Sequence, residues 1–567
     1  MASEKKIIQE ISERATDYEQ NMSGFLAECG EYGDLFRVRP PKRTDNTFSN
    51  PRQTEFYRAA SAIATLSYRM MTAADPYFSI KAVGGNPDYD ALDTVMHVIS
   101  TQLRYAKYRQ NLLRACHYAP VYGTVICQED YRVIGVSPFG RQLPVTVMTP
   151  RVLDQVMFDR GTINIDQADW LSTADITSSV ELMRLAQEAK DIKAPWNPKA
   201  LEAASKDKEE KNTINWQVLE RIRRSGFTQD EAMSKKKELL MFYGKLDCMN
   251  DGIEYIAALV NRKYLVRFHA NNLQSGRRPF RVAKWVDFHG ALGDGLGSLL
   301  SAQHRAMDSN RQKAQDLFSF GAYNMWKRRK NTIANEDLDI GPLNVVDVDN
   351  MDDLMPLTPN LGAADGISRL DEVLKQEFRA ASGASDSLQG IVSDATATSN
   401  SLAQNEAIRS ISVHSEQLAE PLVREHIEDV HWNNVQNIRA PLNINRAGIS
   451  QTVYPSQLRM DLEIEAKTTT DKDFSPKRLE KLINLIQILT STKSQHPDQL
   501  SISILPLVKE VSHLLEVNPS EVIMRPGMMP TAPQMGAAEM LGMGGAMVPG
   551  MGGVGVANTP VGPVMAS

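Results

Sequence analysis

Three places in the chain carry residue types that could do chemistry. The first is GDGLG, with Gly293, Gly295 and Gly297, lying between an expected strand and an expected helix. Backbone amides at such a turn can cradle a phosphate. The spacing argues otherwise, because a dinucleotide fingerprint needs glycine at the sixth position from Gly293, where Ser298 stands. A P-loop needs Gly-Lys followed by Ser or Thr, and Gly244-Lys245 is followed by Leu246. The expectation for 293–297 is a sharp strand-to-helix turn. The second place is Cys116-His117, a nucleophile beside a base. Neighbouring residues on a helix point in different directions, so a packed cysteine next to a partly exposed histidine is expected. The third is His426 and His431, five residues apart where a helical ligand pair wants four.

Around these candidates the composition is that of a globular protein. The 567 residues hold 63 Lys+Arg and 69 Asp+Glu, a net charge of −6, with 42% hydrophobic and 23% charged residues. That much apolar material excludes disorder of the whole chain. The mild acidity excludes a protein that coats nucleic acid along its length. Cys29, Cys116, Cys127 and Cys248 form no CxxC pair, so neither a zinc ribbon nor a disulfide framework is expected, and a reducing compartment suits them. The first twenty residues are charged and lack a signal peptide's apolar core, and no apolar run reaches membrane-spanning length. Short basic clusters occur at 37–43, 277–281 and 327–330, without the aromatic interleaving of a single-strand groove. With no nucleophile–base pair, phosphate cradle or metal cluster in the sequence, the expectation is a structural or mechanical protein without cofactor or metal, and not an enzyme.

Periodicity supplies the elements. Ile7, Ile11, Ala15, Tyr18, Met22, Phe25 and Cys29 make one helical face over 4–29, and prolines in RVRPPKR end it. Further helices are expected over 54–71 and 89–118. Residues 121–136, 142–150, 238–249, 252–270 and 278–288 are β-branched, glycine-broken and strand-like, with Asn250-Asp251-Gly252 as a tight turn. A helix from an N-capping Ser298 to about 318 has a thin stripe of Leu299, Ala302, Ala306, Ala314 and Leu317. So polar a helix suits packing against copies of itself. An insert follows, opening with WKRRK and turning acidic, and a helix over 366–381 returns from it. The stretch 383–401 is small and polar, holds Asp386 and Asp394 with no base, and reads as a loop. A long helix over 401–438 contains Pro421, which should kink it. A strand at 458–467 and helices at 475–489 and 497–515 are expected next. The last 42 residues hold a single charge, Glu539, with ten Gly and eight Met, and read as low-complexity sequence.

In this order the chain resembles the portal, or head-to-tail connector, proteins of tailed bacteriophages over about 116–438. HYAPVYGTVICQEDY looks like the family's helix-to-strand passage, and TPRVLDQVMFD with DQADWL looks like its wing strands. VDFHGALGDGLGSLLSAQHRAMDSNRQKAQDLFSFGA looks like the glycine-rich approach to its first stem helix. SDATATSNSLAQNEAIRSISVHSEQLAEPLVREHIEDV looks like its tunnel loop and long kinked helix.

The resemblance implies an α+β, portal-like architecture: an α/β wing over 1–297, stem helices at 298–320 and 362–382, and a clip at 321–361. It also implies a tunnel loop at 383–401, a kinked helix and return strand at 402–467, a helical crown at 468–525 and a tail at 526–567. The implied protein is a ring at one capsid vertex, a homododecamer in the family. It passes double-stranded DNA during packaging and ejection, without sequence specificity. Its implied partners are the terminase large subunit, then a head-completion or adaptor protein and the tail. The major capsid protein and scaffolding or internal core proteins are implied as well. Its place would be the virion, and the host cytoplasm during assembly. The channel residues would be Asp386, Ser387, Gln389, Asp394, Thr396, Thr398 and Asn400, and the docking residues of the clip Lys327, Arg328, Arg329 and Lys330. An acidic wall suits sliding DNA, since a comb of bases would hold the phosphates in place. The alternatives are another virion scaffold or a membrane-interacting protein using the apolar tail, and a nucleotide-binding enzyme using 293–297. Cryo-electron microscopy of the assembled protein is expected to place Asp386 and Asp394 nearer the ring axis than Leu418. Finding them on the outside would defeat the channel assignment.

Overall fold

The computed structural model describes residues 4–467 except 41–50, 75, 84–88, 136–141, 193–195, 208–235, 272, 274–275, 289, 323–324, 329–353, 358–360, 385–396 and 447–448. The chain divides into two compact units, Met1–Lys481 and Leu482–Ser567. The second unit lies outside the described residues, and with it most of the expected crown and the whole tail.

The first unit is a mixture of helices and antiparallel sheets, α+β in class. Its elements run α1 (Glu4–Asn21), α2 (Ser23–Phe36), α3 (Glu55–Thr72), β1 (Phe78–Ala82), α4 (Tyr89–Tyr105), α5 (Tyr108–Tyr122), β2 (Thr124–Gly135), β3 (Gln142–Arg151), β4 (Val156–Phe158), β5 (Trp170–Ser178), α6 (Ser179–Ile192) and α7 (Pro198–Lys206). They continue with β6 (Lys236–Lys245), β7 (Glu254–Val260), β8 (Tyr264–Ala270), β9 (Phe280–Lys284), α8 (Leu296–Ala322), β10 (Met325–Arg328), β11 (Leu354–Leu357), α9 (Leu361–Ser382) and α10 (Ala397–Ala419). A π-helical segment, Glu420–Glu425, leads into α11 (His426–Asn437), β12 (Leu442–Arg446), β13 (Ile449–Val453), α12 (Pro455–Leu458) and β14 (Leu462–Ala466).

Strands β4 to β8 form a five-stranded meander, and β2 lies between β3 and β9 in a three-stranded sheet. That second sheet is the partition of the unit. Residues 124–129 of β2 are buried at every position, so both faces of the strand meet apolar packing. Val125 and Cys127 face a helical core built by α3, α4, α5, α8, α9, α10 and α11. Ile126, one residue out of phase, faces a second core shared by α1, α2, α6, α7 and the five-stranded meander. The period of two in a strand thus assigns alternate side chains of one segment to two different cores.

Several expectations need correction. The stripe over 4–29 belongs to two helices, with the chain passing Met22 at φ −100 and ψ 14, although Ile7, Ile11, Ala15, Tyr18 and Cys29 are all buried as expected. The helix expected over 89–118 is broken at Lys107, which adopts the left-handed region at φ 54 and ψ 34. Ala106 and Tyr108 on either side are buried, so local packing overrides helical continuity. Asn250-Asp251-Gly252 lies in a longer connection between β6 and β7. The tight hairpin turn is instead Asn261-Arg262, with φ of 52 and 54 and the Lys263 amide donating to the Val260 carbonyl at 3.1 Å. Two consecutive left-handed residues are the mark of a type I′ turn. The helix expected from Ser298 starts at Leu296, so Ser298 sits inside its first turn. Its Oγ accepts from the Gly295 amide at 3.1 Å and donates to the Asp294 carboxylate at 3.1 Å. The hairpin β12–β13 went unread in the sequence, and the strand expected at 458–467 begins only at Leu462.

Arg262 shows why a non-glycine residue is kept in a left-handed turn. Its guanidinium reaches Glu19 on α1 at 2.7 Å, Glu238 on β6 at 3.0 Å and the Thr16 hydroxyl at 3.0 Å. It thereby ties α1 to the meander across buried carboxylates. Arg262→Ala is expected to cost about 3 kcal/mol in urea unfolding, because two buried carboxylates lose their cation. A loss below about 1 kcal/mol would show the pair to be ornamental.

Candidate functional site

The glycine-rich turn is built around the corner between α5 and β2. Gly123, at φ +79, stands so close that a Cβ there would lie 2.2 Å from the Gly293 carbonyl. A Cβ on Gly295 would lie 2.3 Å from the Gly123 amide, and one on Gly297 would lie 2.5 Å from the Tyr32 ring. These glycines exist so that two backbone corners can touch. The Gly293 amide donates to Thr124 Oγ1 at 2.7 Å, and Trp285 donates its amide to the Gly123 carbonyl at 2.7 Å. The amides of Gly293 and Gly295 are therefore both committed to protein acceptors. Gly123 is the partner that spacing within 293–297 could not reveal, because it lies 170 residues earlier in the chain.

From this turn α8 runs out and α9 runs back antiparallel to it. Gln303 donates to the Leu374 carbonyl at 3.3 Å, and His304 packs edge-on against Phe378 at 5.9 Å between centroids. The buried side of this hairpin is unusually polar. Asp308 accepts from the Gln53 amide at 2.7 Å and pairs with Arg52 at 3.3 Å. Asp371 pairs with Lys375 at 2.8 Å and accepts from the Gln53 side chain at 3.2 Å, while Arg379 holds Glu55 at 3.2 Å. His304, Asp308 and Asp371 are all buried, together with Leu296, Leu300, Met307 and Phe378. The apolar stripe read from sequence faces the other way. Leu299 is 59% exposed, and Ala302 and Ala306 are exposed with it. On α9, Leu370 is 51% and Val373 49% exposed.

A third cluster lies where the partition sheet meets the helix containing Pro421. Pro421 is the second residue of the π-helical segment. A proline lacks the amide that would continue an α-helix, and a wider turn absorbs the break. Below that segment, Arg281 on β9 pairs with Asp429 on α11 and lies 3.7 Å from Glu129 on β2 and 3.8 Å from Glu425. Glu129 also meets His426 Nδ1 at 2.7 Å, and the His426 ring stacks on Tyr108 at 4.9 Å. Tyr108 donates its hydroxyl to the Leu422 carbonyl at 2.7 Å, inside the π-helical segment. Burial pushes the Glu129 carboxyl up to about 7, against the pull of Arg281. Burial, reinforced by Arg281, lowers His426 to about 3. Arg424 adds an outer layer by pairing with Glu420 and Glu428.

The remaining candidates are placed as follows. Cys116 is buried on α5 and burial raises its thiol far above the usual range, while the His117 ring packs on Phe36 at 5.6 Å. His431 bonds the Met460 carbonyl at 2.9 Å. Among the described residues no group of three metal-ligating side chains occurs. Lys327 and Arg328 lie in β10, which pairs with β11 to close the insert between α8 and α9. Arg329 and Lys330 lie outside the described residues, as do Asp386, Ser387, Gln389, Asp394 and Thr396. Thr398 and Asn400, expected in the loop, belong to the first turn of α10, which begins at Ala397. The cluster of Glu129, Arg281, His426 and Asp429 was missed in the sequence. A charged residue inside the apolar run VICQE was the available signal.

No protein-family model matches the chain. No curated protein matches it with significance.

The Glu129–His426 pair has a consequence for stability. Unfolded, between about pH 4.5 and 6.5, the histidine carries a proton and the glutamate is ionised. Folded, the raised glutamate holds the proton and the lowered histidine does not. The number of bound protons is unchanged, so the pair adds no slope to stability in that window. Glu129→Gln leaves His426 with a depressed value, and stability relative to the parent is expected to rise with pH from about 3 to 6.5. His426→Asn leaves Glu129 with a raised value, and stability is expected to fall as pH goes from about 4.5 to 7. Urea unfolding across pH 4 to 7 reads both, and slopes of the same sign in the two variants would refute the shared proton.

Proposed function

We propose that this chain is a portal-type subunit that assembles into a ring and serves as a conduit for double-stranded DNA. The observation that carries the reading is the α8–α9 hairpin. Its inner side mixes buried polar groups with Leu296, Leu300, Met307 and Phe378, and a second row of apolar side chains, Leu299, Leu370 and Val373, is left outside. The outward residues of α9, namely Gly366, Leu370, Val373, Glu377 and Ala380, repeat at spacings of 4, 3, 4 and 3. Those of α8, Leu299, Ala302, Ala306 and Lys313, follow the same seam, which partly buried Leu317 continues. Such spacing is what one helix offers another along a shallow crossing. The two helices differ in exposed charge, since α8 exposes Arg305, Arg311 and Lys313, whereas α9 exposes Asp365, Glu372 and Glu377 against one exposed base, Arg369. A face that complements a different face on the same molecule makes a head-to-tail contact, and such contacts close into a ring where the rotation between copies closes.

Within this reading the insert carrying 327–330 is the clip, offered to the terminase and then to the adaptor. The segment 383–401, whose last residues open α10, is the tunnel loop, and the π-helical turn at Pro421 takes up its junction with the wing. The order of elements around the hairpin, a glycine-packed corner, an outgoing helix, a small β insert, a returning helix and a long interrupted helix, supports the assignment alongside the sequence resemblance.

Negative-stain images and native mass spectrometry of the purified protein test it. Rings with a central hole are expected for the parent chain. Leu370→Glu combined with Val373→Glu is expected to leave a folded monomer that forms none. Identical assembly in parent and variant would remove the hairpin seam from the interface.

A further inference from the structure

The chain is acidic overall, yet residues 94–128 contain no Asp or Glu and four basic side chains, Arg104, Lys107, Arg109 and Arg114. Three of the four fall within six residues, at the break between α4 and α5. All four are exposed. None of Arg104, Lys107 and Arg114 pairs with a carboxylate among the described residues. The Arg109 guanidinium lies over the Tyr77 ring at 5.8 Å, and that of Arg104 over the half-exposed Tyr105 ring at 5.4 Å.

The break is held rigidly. Lys107 is placed in the left-handed region, a conformation that costs a non-glycine residue on the order of 1 kcal/mol. Its neighbours are anchors: Ala106 packs with Leu143 and Val145. Tyr108 is fully buried, stacked between Tyr77 at 5.6 Å and His426 at 4.9 Å. Apolar side chains therefore point in at 106 and 108, while Arg104, Tyr105, Lys107, Arg109 and Gln110 point out. Exposed cations on a rigid break, in a stretch of 35 residues without a carboxylate, suit a polyanion.

We propose that the α4–α5 break is a docking surface for the phosphate backbone of duplex DNA, read without sequence preference. Arginine and lysine with an adjacent amide side chain are the usual donors to phosphodiester oxygens. A membrane surface would call for exposed aliphatic side chains beside the bases, and here the neighbouring aliphatic groups are turned inward. This surface is separate from the segments assigned to the channel and the clip, so it does not depend on ring formation.

The test is fluorescence anisotropy of the full-length protein with a short mixed-sequence DNA duplex over a range of salt. The combined variant Arg104→Glu, Lys107→Glu is expected to bind about tenfold or more weakly, with the slope of log affinity against log salt reduced by about two. Lys107→Gly removes one charge while relieving the left-handed strain, so it retains the fold. It is expected to reduce the slope by about one. Parent-like affinity and slope in both variants would overturn the proposal, as would a parent chain that binds phosphatidylserine vesicles but not the duplex. Negative-stain imaging of the same samples keeps the two readings apart. Parent samples without rings but with the charge effect intact would defeat the conduit alone, and rings without the charge effect would defeat the docking surface alone.

Discussion

The structure depends on a strand that is buried on both faces. β2 separates two cores, and a charged residue on its helix-facing side cannot reach water. Glu129 is therefore obliged to find partners inside, and Arg281, His426 and Tyr108 are arranged by that need. A buried carboxylate without a partner would be prohibitively costly, and Glu129 meets that cost by keeping its proton up to about pH 7 beside neutral His426. Because Arg281 also reaches Asp429 and Glu425, the requirement extends to the π-helical segment and α11. The long interrupted helix is thus fixed to the sheet by charge and by stacking as well as by apolar area.

A second constraint works through the absence of side chains. The corner at Gly123 and the turn at 293–297 approach so closely that backbone meets backbone. This contact sets where α8 leaves the body. Gln53, Glu55, Asp308 and Asp371 then fix the hairpin against α3 with hydrogen bonds and ion pairs. Directional polar contacts specify one arrangement of two helices more narrowly than apolar contact does. Leu296, Leu300, Met307 and Phe378 are buried beside them, while Leu299, Leu370 and Val373 are left on the outside.

The left-handed residues extend the theme of local cost for tertiary gain. Arg262 and Lys107 both occupy conformations that glycine would adopt more easily. Arg262 thereby gains contact with two buried carboxylates. Lys107 holds its turn between two buried anchors and keeps its charge in solvent. At Lys107 no local residue announces the turn, whereas at Arg262 the preceding Asn261 is the one turn-favouring residue.

The sequence by itself determined the elements whose signal is periodic or compositional. The stripe of α1 and α2, strands β2, β3 and β6 to β9, the helix-breaking prolines after Phe36 and the proline in the long helix were legible, since a single segment carries each pattern. Tertiary structure decided everything that depends on a distant partner. It turned the stripe of α8 outward, because the Gln53 amide and Arg52 draw Asp308 inward. It broke the helix at Lys107, because Ala106 and Tyr108 are buried against β3 and His426. It also gave the glycines at 293–297 their purpose through Gly123, and it assembled Glu129, Arg281 and His426 from three separate stretches of chain. Periodicity reports which side of an element can be apolar. Only packing decides which side is buried, since the free energy of a buried polar group depends on partners that the local sequence does not contain.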